Sequence, residues 1–262
     1  MEAWSTWLIA MFAAFLCGSI PFGVLIARTR GVDIRAHGSR NIGATNVARV
    51  LGRPLGALCF ALDALKGFAP TALAGLWHET WGLPATALPP AEQFLWLGTA
   101  VAALLGHMFS PWIGFKGGKG VATGFGGLAG IWPALTLPAL VALGLWILLV
   151  ATVRIVSVAS VAAAFAVPAM VAILAIAPAD GTDAAGRLGT AERADEAAQR
   201  GSPGAVTATS SRGAALERAL PMLGATTVLS VLIAWKHRSN LARLLRGEEP
   251  RIGSARGSRT DG

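Results

Sequence analysis

The chain has 262 residues, of which 54% are hydrophobic and 14% are charged, with 22 Lys and Arg against 14 Asp and Glu. Soluble domains usually carry about 25% charged residues, so this composition excludes an ordinary soluble protein. Charged residues are absent from 3–27, 93–115, 120–153 and 155–177, and about 20 apolar residues make one membrane-spanning helix. The sequence therefore predicts an all-α, polytopic integral membrane protein.

Six apolar blocks mark the predicted spans. They cover residues 4–27, 55–77, 93–113, 120–153, 155–177 and 219–235. As a single helix the fourth block would be about 51 Å long, far beyond a hydrocarbon core of about 30 Å. Because Gly126, Gly127, Gly130 and Pro133 interrupt that block, we expect two short helices there and about seven spans in total.

Basic residues indicate the orientation of these spans. Six Arg lie in 28–53, Lys116 and Lys119 follow the third block, and seven Lys or Arg lie in 236–259, whereas 78–92 has none. Cytoplasmic loops of membrane proteins carry an excess of Lys and Arg. The pattern predicts an N-terminus outside the cell and a C-terminus in the cytoplasm.

Residues 1–249 are expected to form a single membrane-embedded domain. Within it, residues 178–218 are rich in small residues and carry five Arg against six acids, which predicts a flexible external loop insertion without chemistry. Residues 250–262 are expected to be a disordered basic tail. Cys17 and Cys59 lie in apolar stretches without metal-ligand spacing, so we expect no metal.

The first cytoplasmic segment is rich in small hydrogen-bonding residues. Its candidate anion-binding residues are Ser39, Asn41, Gly43, Thr45 and Asn46. Glycines allow several backbone N–H groups to face one anion, and Ser, Asn and Thr add side-chain donors. Arg49 could hold a phosphate with two hydrogen bonds. An ordinary basic loop is the alternative interpretation.

The second cytoplasmic segment contains two lysines separated by two glycines. It reads Lys116, Gly117, Gly118, Lys119 and Gly120. This pattern favours a phosphate-binding loop that leads into a helix N-terminus. It is not a Walker A motif, because the spacing is one residue short and no Ser or Thr follows the second lysine. A basic turn without a ligand is the alternative.

The third polar group lies where the last span leaves the membrane. His237 and Asn240 are three residues apart and share one face if the helix continues. Three further polar residues lie within spans, where ionisable groups are unfavourable. Asp63 and Lys66 suit either a structural ion pair or a catalytic role, and His107 is equally ambiguous.

Six motifs in order resemble the PlsY family of bacterial membrane acyl-phosphate:glycerol-3-phosphate acyltransferases, from about residue 8 to residue 249 apart from the insertion. The motifs are Gly18-Ser-Ile-Pro-Phe-Gly23, Gly38-Ser-Arg-Asn-Ile-Gly-Ala-Thr-Asn46, Leu62-Asp-x-x-Lys-Gly67, Gly106-His-Met-Phe109, Gly114-Phe-Lys-Gly-Gly-Lys-Gly-Val-Ala-Thr123 and His237-Arg-x-Asn240. The resemblance implies transfer of a fatty acyl group from acyl phosphate to the 1-hydroxyl of sn-glycerol 3-phosphate, which yields lysophosphatidic acid and phosphate.

The resemblance also implies which residues act. The family's essential residues correspond to Ser39, Arg49, Lys119, Ser160, His237 and Asn240, and its trailing Glu corresponds to Glu249. Arg40 stands where the family usually has Gly, and Ser239 where an acid is common. Whether His237 or a substrate phosphate takes the hydroxyl proton stays open.

The resemblance further implies a location and partners. We expect an active site on the cytoplasmic face of the bacterial inner membrane, no cofactor and no nucleic acid. Expected partners are acyl phosphate, glycerol 3-phosphate, membrane lipid and a soluble enzyme that makes acyl phosphate. The alternative is a transporter or binding protein for an organic phosphate, but such proteins commonly contain internal repeats, and none is evident in this sequence.

Overall fold

The regular structure of this protein is helical throughout the part that the structure describes. The structure is a computed structural model, and it describes residues 2–176 and 207–252. We number the helices α1 Glu2–Ser19, α2 Phe22–Arg28, α3 Ala44–Leu51, α4 Arg53–Trp77, α5 Pro90–Met108, α6 Val121–Ala129, α7 Thr136–Thr152, α8 Val156–Ile176, α9 Thr207–Lys236 and α10 Arg238–Leu245. The predicted all-α membrane protein is confirmed.

Five stretches are long and apolar enough to cross a membrane. They are Trp4–Arg28, Arg53–Trp77, Pro90–Ile113, Val156–Ile176 and Leu216–Lys236. The predicted division of the block 120–153 is confirmed, because α6 and α7 are separate helices. At 1.5 Å per residue, α6 is about 14 Å long and α7 about 26 Å. The count of seven spans and their orientation stay predictions.

The helices contact one another through small residues, and many of their large apolar side chains lie on the outer surface. A Cβ atom on Gly18 would lie 2.0 Å from the carbonyl oxygen of Ala103, and one on Gly106 would lie 2.2 Å from that of Phe15. Helices α1 and α5 therefore touch backbone to backbone, as small residues permit in membranes. Large side chains such as Phe12 and Val228 are exposed instead of buried, which suits a lipid-facing surface.

The described residues include parts of the predicted insertion and of the predicted tail, whose boundaries stay predictions. The insertion was predicted to end at residue 218, but α9 begins at Thr207. Helix α9 therefore extends the last predicted span towards the N-terminus. The rest of the predicted insertion, 178–206, lies outside the described residues.

The first residues of the predicted tail contact the helical part of the protein. Residues 250–252 are described, and the backbone N–H of Ile252 donates a hydrogen bond to the carbonyl oxygen of Arg154 at 2.8 Å. The start of the tail is therefore fixed to the turn between α7 and α8. Residues 253–262 lie outside the described residues.

Candidate active site

Motifs from distant parts of the sequence meet in one polar cluster. Lys119 follows the glycines of the second segment, and its ammonium group donates a hydrogen bond to Oδ1 of Asn240, on α10. The other end of the same amide, Nδ2, donates to Oε1 of Glu249 at 2.6 Å. The orientation of the Asn240 amide is therefore fixed from both sides. We call Lys119, Asn240, Glu249, Ser157 and Arg243 the charged cluster.

Glu249 is the centre of the charged cluster. Its side chain is only 5% exposed, and a buried carboxylate requires hydrogen bonds and an opposite charge. The hydroxyl of Ser157 on α8 donates to Oε1 at 2.8 Å, and Nε of Arg243 donates to Oε2 at 2.9 Å. Glu249 thus joins α8, α10 and the segment that follows α10.

The charge of Lys119 is easily lost in this environment. Its side chain is half-buried, and burial lowers the pKa of the ammonium group to about 8. The positive charges of Arg243 and Arg49 lower this pKa further, whereas the negative charge of Glu249 raises it. The influence of Arg49 indicates that α3, which carries this exposed residue, lies near the charged cluster.

His237 lies buried between α9 and α10 and is neutral at pH 7. Its Nδ1 lies 2.9 Å from the carbonyl oxygen of Ile233. A carbonyl oxygen only accepts, so Nδ1 carries the proton and Nε2 keeps its lone pair. Burial, followed by the charge of Lys119, lowers the pKa of His237 to about 4. The ring is therefore a weakly basic hydrogen-bond acceptor.

Asn46 stabilises the first loop, the name used below for residues 31–49. Its side chain is 1% exposed, and Nδ2 donates to the carbonyl oxygens of His37 at 3.0 Å and Asn41 at 2.8 Å. Oδ1 accepts the backbone N–H of Ser39 at 2.7 Å. A phosphate contact through the Asn46 amide, as the sequence predicts, would require these bonds to break. The structure instead gives Asn46 a role in shaping the loop.

The other predicted residues of the first loop are more accessible. Ser39 and Arg49 are exposed, and Thr45 is half-buried. Oδ1 of Asn41 accepts the backbone N–H of Gly43 at 2.9 Å, a local turn that leads into α3. Gly43 caps the N-terminus of α3, where backbone N–H groups lack partners within the helix.

Arg40 adopts a backbone conformation that favours glycine. Its φ angle is 58°, in the left-handed region where a Cβ atom is unfavourable by roughly 1–2 kcal/mol. The preference for Gly at this position, which the resemblance implies, therefore has a physical reason. The first loop adopts this turn with Arg at position 40, and the backbone is strained there.

The second segment lies directly on the C-terminal end of α5. The backbone N–H of Gly118 donates to the carbonyl oxygen of His107 at 3.1 Å, and that of Gly117 donates to Met108 at 3.2 Å. Gly120 has a φ of 82° and starts α6. Lys116 is exposed, whereas Lys119 points into the charged cluster. Residues 114–120 are called the glycine loop below.

Ser160 lies apart from the charged cluster. Its hydroxyl oxygen accepts a hydrogen bond from Nε1 of Trp146 at 3.1 Å, and it lines an apolar cleft instead. Ser157, one helical turn earlier, is the serine that contacts Glu249. Arg243 is a further member of the charged cluster that the sequence did not predict. Its only signal was its place between Asn240 and Glu249, which fits an interfacial anchor equally well.

An apolar cleft is lined by side chains of α4, α5, α6, α7, α8 and α9. Phe60, Phe125 and Trp146 form one wall, with ring centroids 6.3 Å apart in both pairs that include Phe60. Ile233, whose carbonyl binds His237, and Val121, two residues after Lys119, also line the cleft. One end of the cleft is therefore adjacent to the charged cluster.

A second polar group lies within the spans. Nζ of Lys66 is 2.7 Å from Oδ1 of Asp63, and the same oxygen is 3.7 Å from Nδ1 of His107. Lys66 also donates to the carbonyl oxygen of Ile20 at 2.7 Å. These side chains are 2–4% exposed. The short distance between Lys66 and Asp63 confirms their predicted pairing.

Within residues 2–176 and 207–252, no group of three His, Cys, Asp or Glu is suited to a metal ion.

One curated relative matches nearly the whole chain, and others match about half of it. The glycerol-3-phosphate acyltransferase of Geobacter sulfurreducens is 38% identical over 245 residues, which is 94% of this chain and 97% of that protein. The enzyme of the same name from Desulfotalea psychrophila is 49% identical over 115 residues, 43% of this chain and 53% of that protein.

Solved structures and a family model agree with these relatives. Crystal structures of PlsY, an integral membrane glycerol 3-phosphate acyltransferase, match 95% of this chain and 96% of theirs. The glycerol 3-phosphate form has a TM-score of 0.69 at 32% identity, and the lysophosphatidic acid form has 0.67 at 31%. A family model described as glycerol-3-phosphate acyltransferase matches residues 8–247. The chain therefore belongs to the PlsY family of integral membrane glycerol-3-phosphate acyltransferases.

Proposed function

We propose that this acyltransferase takes its acyl group from an acyl phosphate and forms lysophosphatidic acid. The oxygen of the glycerol 1-hydroxyl attacks the acyl carbonyl carbon, the bond from that carbon to the phosphate oxygen breaks, and the hydroxyl proton leaves. The second product is inorganic phosphate. The observation that carries the proposal is the position of Lys119, an ammonium group in the charged cluster beside an apolar cleft.

Two phosphorylated substrates require two sites for anions. We assign one to the glycine loop with Lys119, and the other to the first loop with the exposed residues Ser39 and Arg49. The remaining donors of these sites are Asn41, Gly43, Thr45, Lys116, Gly117, Gly118 and Gly120. Support comes from the charge of Arg49, which is close enough to lower the pKa of Lys119. Hydrogen bonds between ionised partners are roughly twice as strong as neutral ones.

The acyl chain would occupy the apolar cleft. Its lining is aromatic and aliphatic apart from Ser160, and burial of each methylene group stabilises binding by about 0.8 kcal/mol. Because Val121 and Ile233 are near neighbours of Lys119 and His237, a chain in the cleft would bring its carbonyl end to the charged cluster. This continuity supports a fatty acyl donor.

The glycerol hydroxyl would donate its hydrogen bond to Nε2 of His237. With a pKa of about 4, this ring is a poor acceptor of a whole proton at pH 7. A phosphate group, with a second pKa near 6, is a better base. We therefore propose that His237 orients the hydroxyl and that a substrate phosphate takes the proton. An acyl phosphate has a good leaving group and demands little activation of its attacker.

We also propose that Ser157 takes the place that the sequence analysis gave to Ser160. Ser157 contacts Glu249, which orients Asn240 and through it Lys119. Ser160 contacts Trp146 within the apolar cleft. A serine in the charged cluster can influence phosphate binding directly, whereas one in the cleft influences the acyl chain.

The basic segments place this chemistry on the cytoplasmic face of the bacterial inner membrane in our proposal. Lys119 follows the span Pro90–Ile113, and Asn240, Arg243 and Glu249 follow Leu216–Lys236, while Ser157 is the second residue of Val156–Ile176. Lys or Arg lies close to each of these ends. Acyl phosphates hydrolyse readily in water, so a soluble enzyme that makes them at this face is a fitting partner.

The test uses purified protein in detergent with labelled glycerol 3-phosphate. Palmitoyl phosphate is supplied in one reaction and palmitoyl-CoA in the other, and lysophosphatidic acid is quantified. We expect product and stoichiometric phosphate from palmitoyl phosphate alone. Equal rates with both donors would contradict acyl-phosphate dependence, and product from neither would contradict the proposed reaction.

A further inference from the structure

The buried polar group on α4 and α5 needs an explanation beyond stability. Asp63, Lys66 and His107 are 3%, 2% and 4% exposed in their side chains. A buried ion pair is often no more stabilising than apolar residues of the same volume, and ionisable groups within a membrane are functional by default. Stability alone therefore does not account for three such groups together.

His107 links this group to the glycine loop. A Cβ atom on Gly118 would lie 2.1 Å from Nε2 of His107, and one on Gly117 would lie 2.0 Å from the His107 carbonyl oxygen. The glycine loop therefore packs directly against the imidazole ring of His107. Nδ1, at the opposite side of the ring, faces Oδ1 of Asp63 at 3.7 Å.

Lys66 links the same group to the first loop. Its Nζ donates to the carbonyl oxygen of Ile20, in the break between α1 and α2. Helix α2 in turn touches the first loop, since a Cβ atom on Gly23 would lie 1.7 Å from the carbonyl oxygen of Ile42. The buried polar group is thus linked to the glycine loop by direct contact of His107, and to the first loop indirectly, through Ile20 and α2.

We infer that Asp63, Lys66 and His107 set the position of the glycine loop relative to the first loop, with His107 as the positioning residue for Lys119. The inference rests on the proposed function, because it assumes that both loops bind substrate. None of the three side chains contacts the charged cluster within the described residues. They act through backbone contacts, by fixing the distance between two sites whose ligands must react with each other.

The first test needs no substrate. Hydrogen exchange of the peptide that spans 114–121 is compared between the wild type, His107→Leu and the double variant Asp63→Leu with Lys66→Met. The double variant replaces the ion pair by apolar groups of similar size, so it is expected to fold. We expect at least tenfold faster exchange in this peptide for both. Thr99→Val, a buried isosteric change on the same helix, is the control that should leave it unchanged.

The second test measures kcat and KM with palmitoyl phosphate. His107→Leu should lower kcat at least tenfold, because Lys119 is no longer held in place, with less than twofold change in the KM for palmitoyl phosphate. His107→Gln, which retains a polar side chain over Gly118, should recover part of this loss. Activity that declines only in proportion to the folded fraction would overturn the inference.

The two tests separate the inference from the reaction. Unchanged exchange of 114–121 in both variants, or uniformly faster exchange along the whole chain, would overturn the positioning role. Absence of product in the wild type with either donor would reject the reaction and leave the exchange result standing.

Discussion

Lys119 and Asn240 are 121 residues apart in the sequence, and the ammonium group of Lys119 donates a hydrogen bond to the Asn240 side chain. The amide of Asn240 is held at its other end by Glu249. A charge that is held in this way needs no reorganisation to meet a substrate phosphate. Because these side chains contact one another, we expect the enzyme's activity to depend on pH and on single substitutions in the charged cluster.

The activity should fall as the pH rises above about 8. Lys119 has a pKa of about 8, so its positive charge is present below that pH and is lost above it. Because kcat/KM reports groups of the free enzyme, its alkaline limb should lie near pH 8. The measurement is a pH profile of kcat/KM for glycerol 3-phosphate. A flat profile from pH 7 to 9.5 would show that the charge of Lys119 is not required.

Glu249→Gln and Arg243→Gln should shift the alkaline limb of the kcat/KM profile in opposite directions. The charge of Glu249 raises the pKa of Lys119, and that of Arg243 lowers it. Removal of the carboxylate therefore shifts the limb to lower pH, and removal of the guanidinium shifts it to higher pH. Arg251→Gln is a control farther along the same segment. Shifts of the same sign in both variants would contradict this electrostatic account.

Lys119→Ala should lower kcat by about 10²–10³, the usual effect of removing one donor that stabilises transition-state charge. Lys119→Arg should recover little, because a planar guanidinium does not replace a compact ammonium group between glycines. The residual activity of Lys119→Arg should lack the limb near pH 8, since arginine stays protonated. Near-normal kcat in either variant would remove Lys119 from the mechanism.

Ser157→Ala and Ser160→Ala should differ in which parameter changes. Ser157 donates to a buried carboxylate, and hydrogen bonds to charged groups contribute about 1.5–3 kcal/mol. Ser157→Ala should therefore lower kcat by roughly tenfold or more. Ser160→Ala should chiefly raise the KM for palmitoyl phosphate, because Ser160 lines the cleft. The reverse pattern would restore the original assignment of Ser160.

His237→Ala should raise the KM for glycerol 3-phosphate more than it lowers kcat. The ring of His237 is neutral above pH 4, and its expected role is to accept a hydrogen bond from the hydroxyl. Steady-state kinetics at saturating palmitoyl phosphate separate the two parameters. Loss of an acidic limb from the kcat profile would instead identify His237 as the general base, and wild-type kinetics would contradict both roles.

Arg40→Gly should stabilise the protein. The left-handed backbone at Arg40 is unfavourable for a residue with a Cβ atom by roughly 1–2 kcal/mol, and the added freedom of glycine in the unfolded chain offsets part of the gain. We expect a higher melting temperature in detergent. Arg30→Gly, at an exposed turn position without positive φ, is the matched control and should not raise it.

The sequence by itself determined the class of fold and indicated three of the residues that meet in the charged cluster, Lys119, Asn240 and Glu249. The charge-free blocks are long enough to cross a bilayer, and an apolar segment in a bilayer must satisfy its own backbone hydrogen bonds as a helix does. The positions of the helices therefore followed from the composition. Lys119, His237 and Asn240 stood out because polar residues at the ends of spans are not needed for membrane insertion, whereas Glu249 was implied by the family resemblance.

Only the tertiary structure decided which of these residues meet. Ser157 and Ser160 are three residues apart on α8 and share a helical face. The resemblance implied Ser160, whereas the structure places Ser157 at Glu249 and Ser160 at Trp146. Asn46 looked like a phosphate ligand until its amide was found to bind the first loop. Side-chain partners depend on how helices pack and how loops fold back, and contacts over 90 to 120 residues leave no local pattern in the sequence.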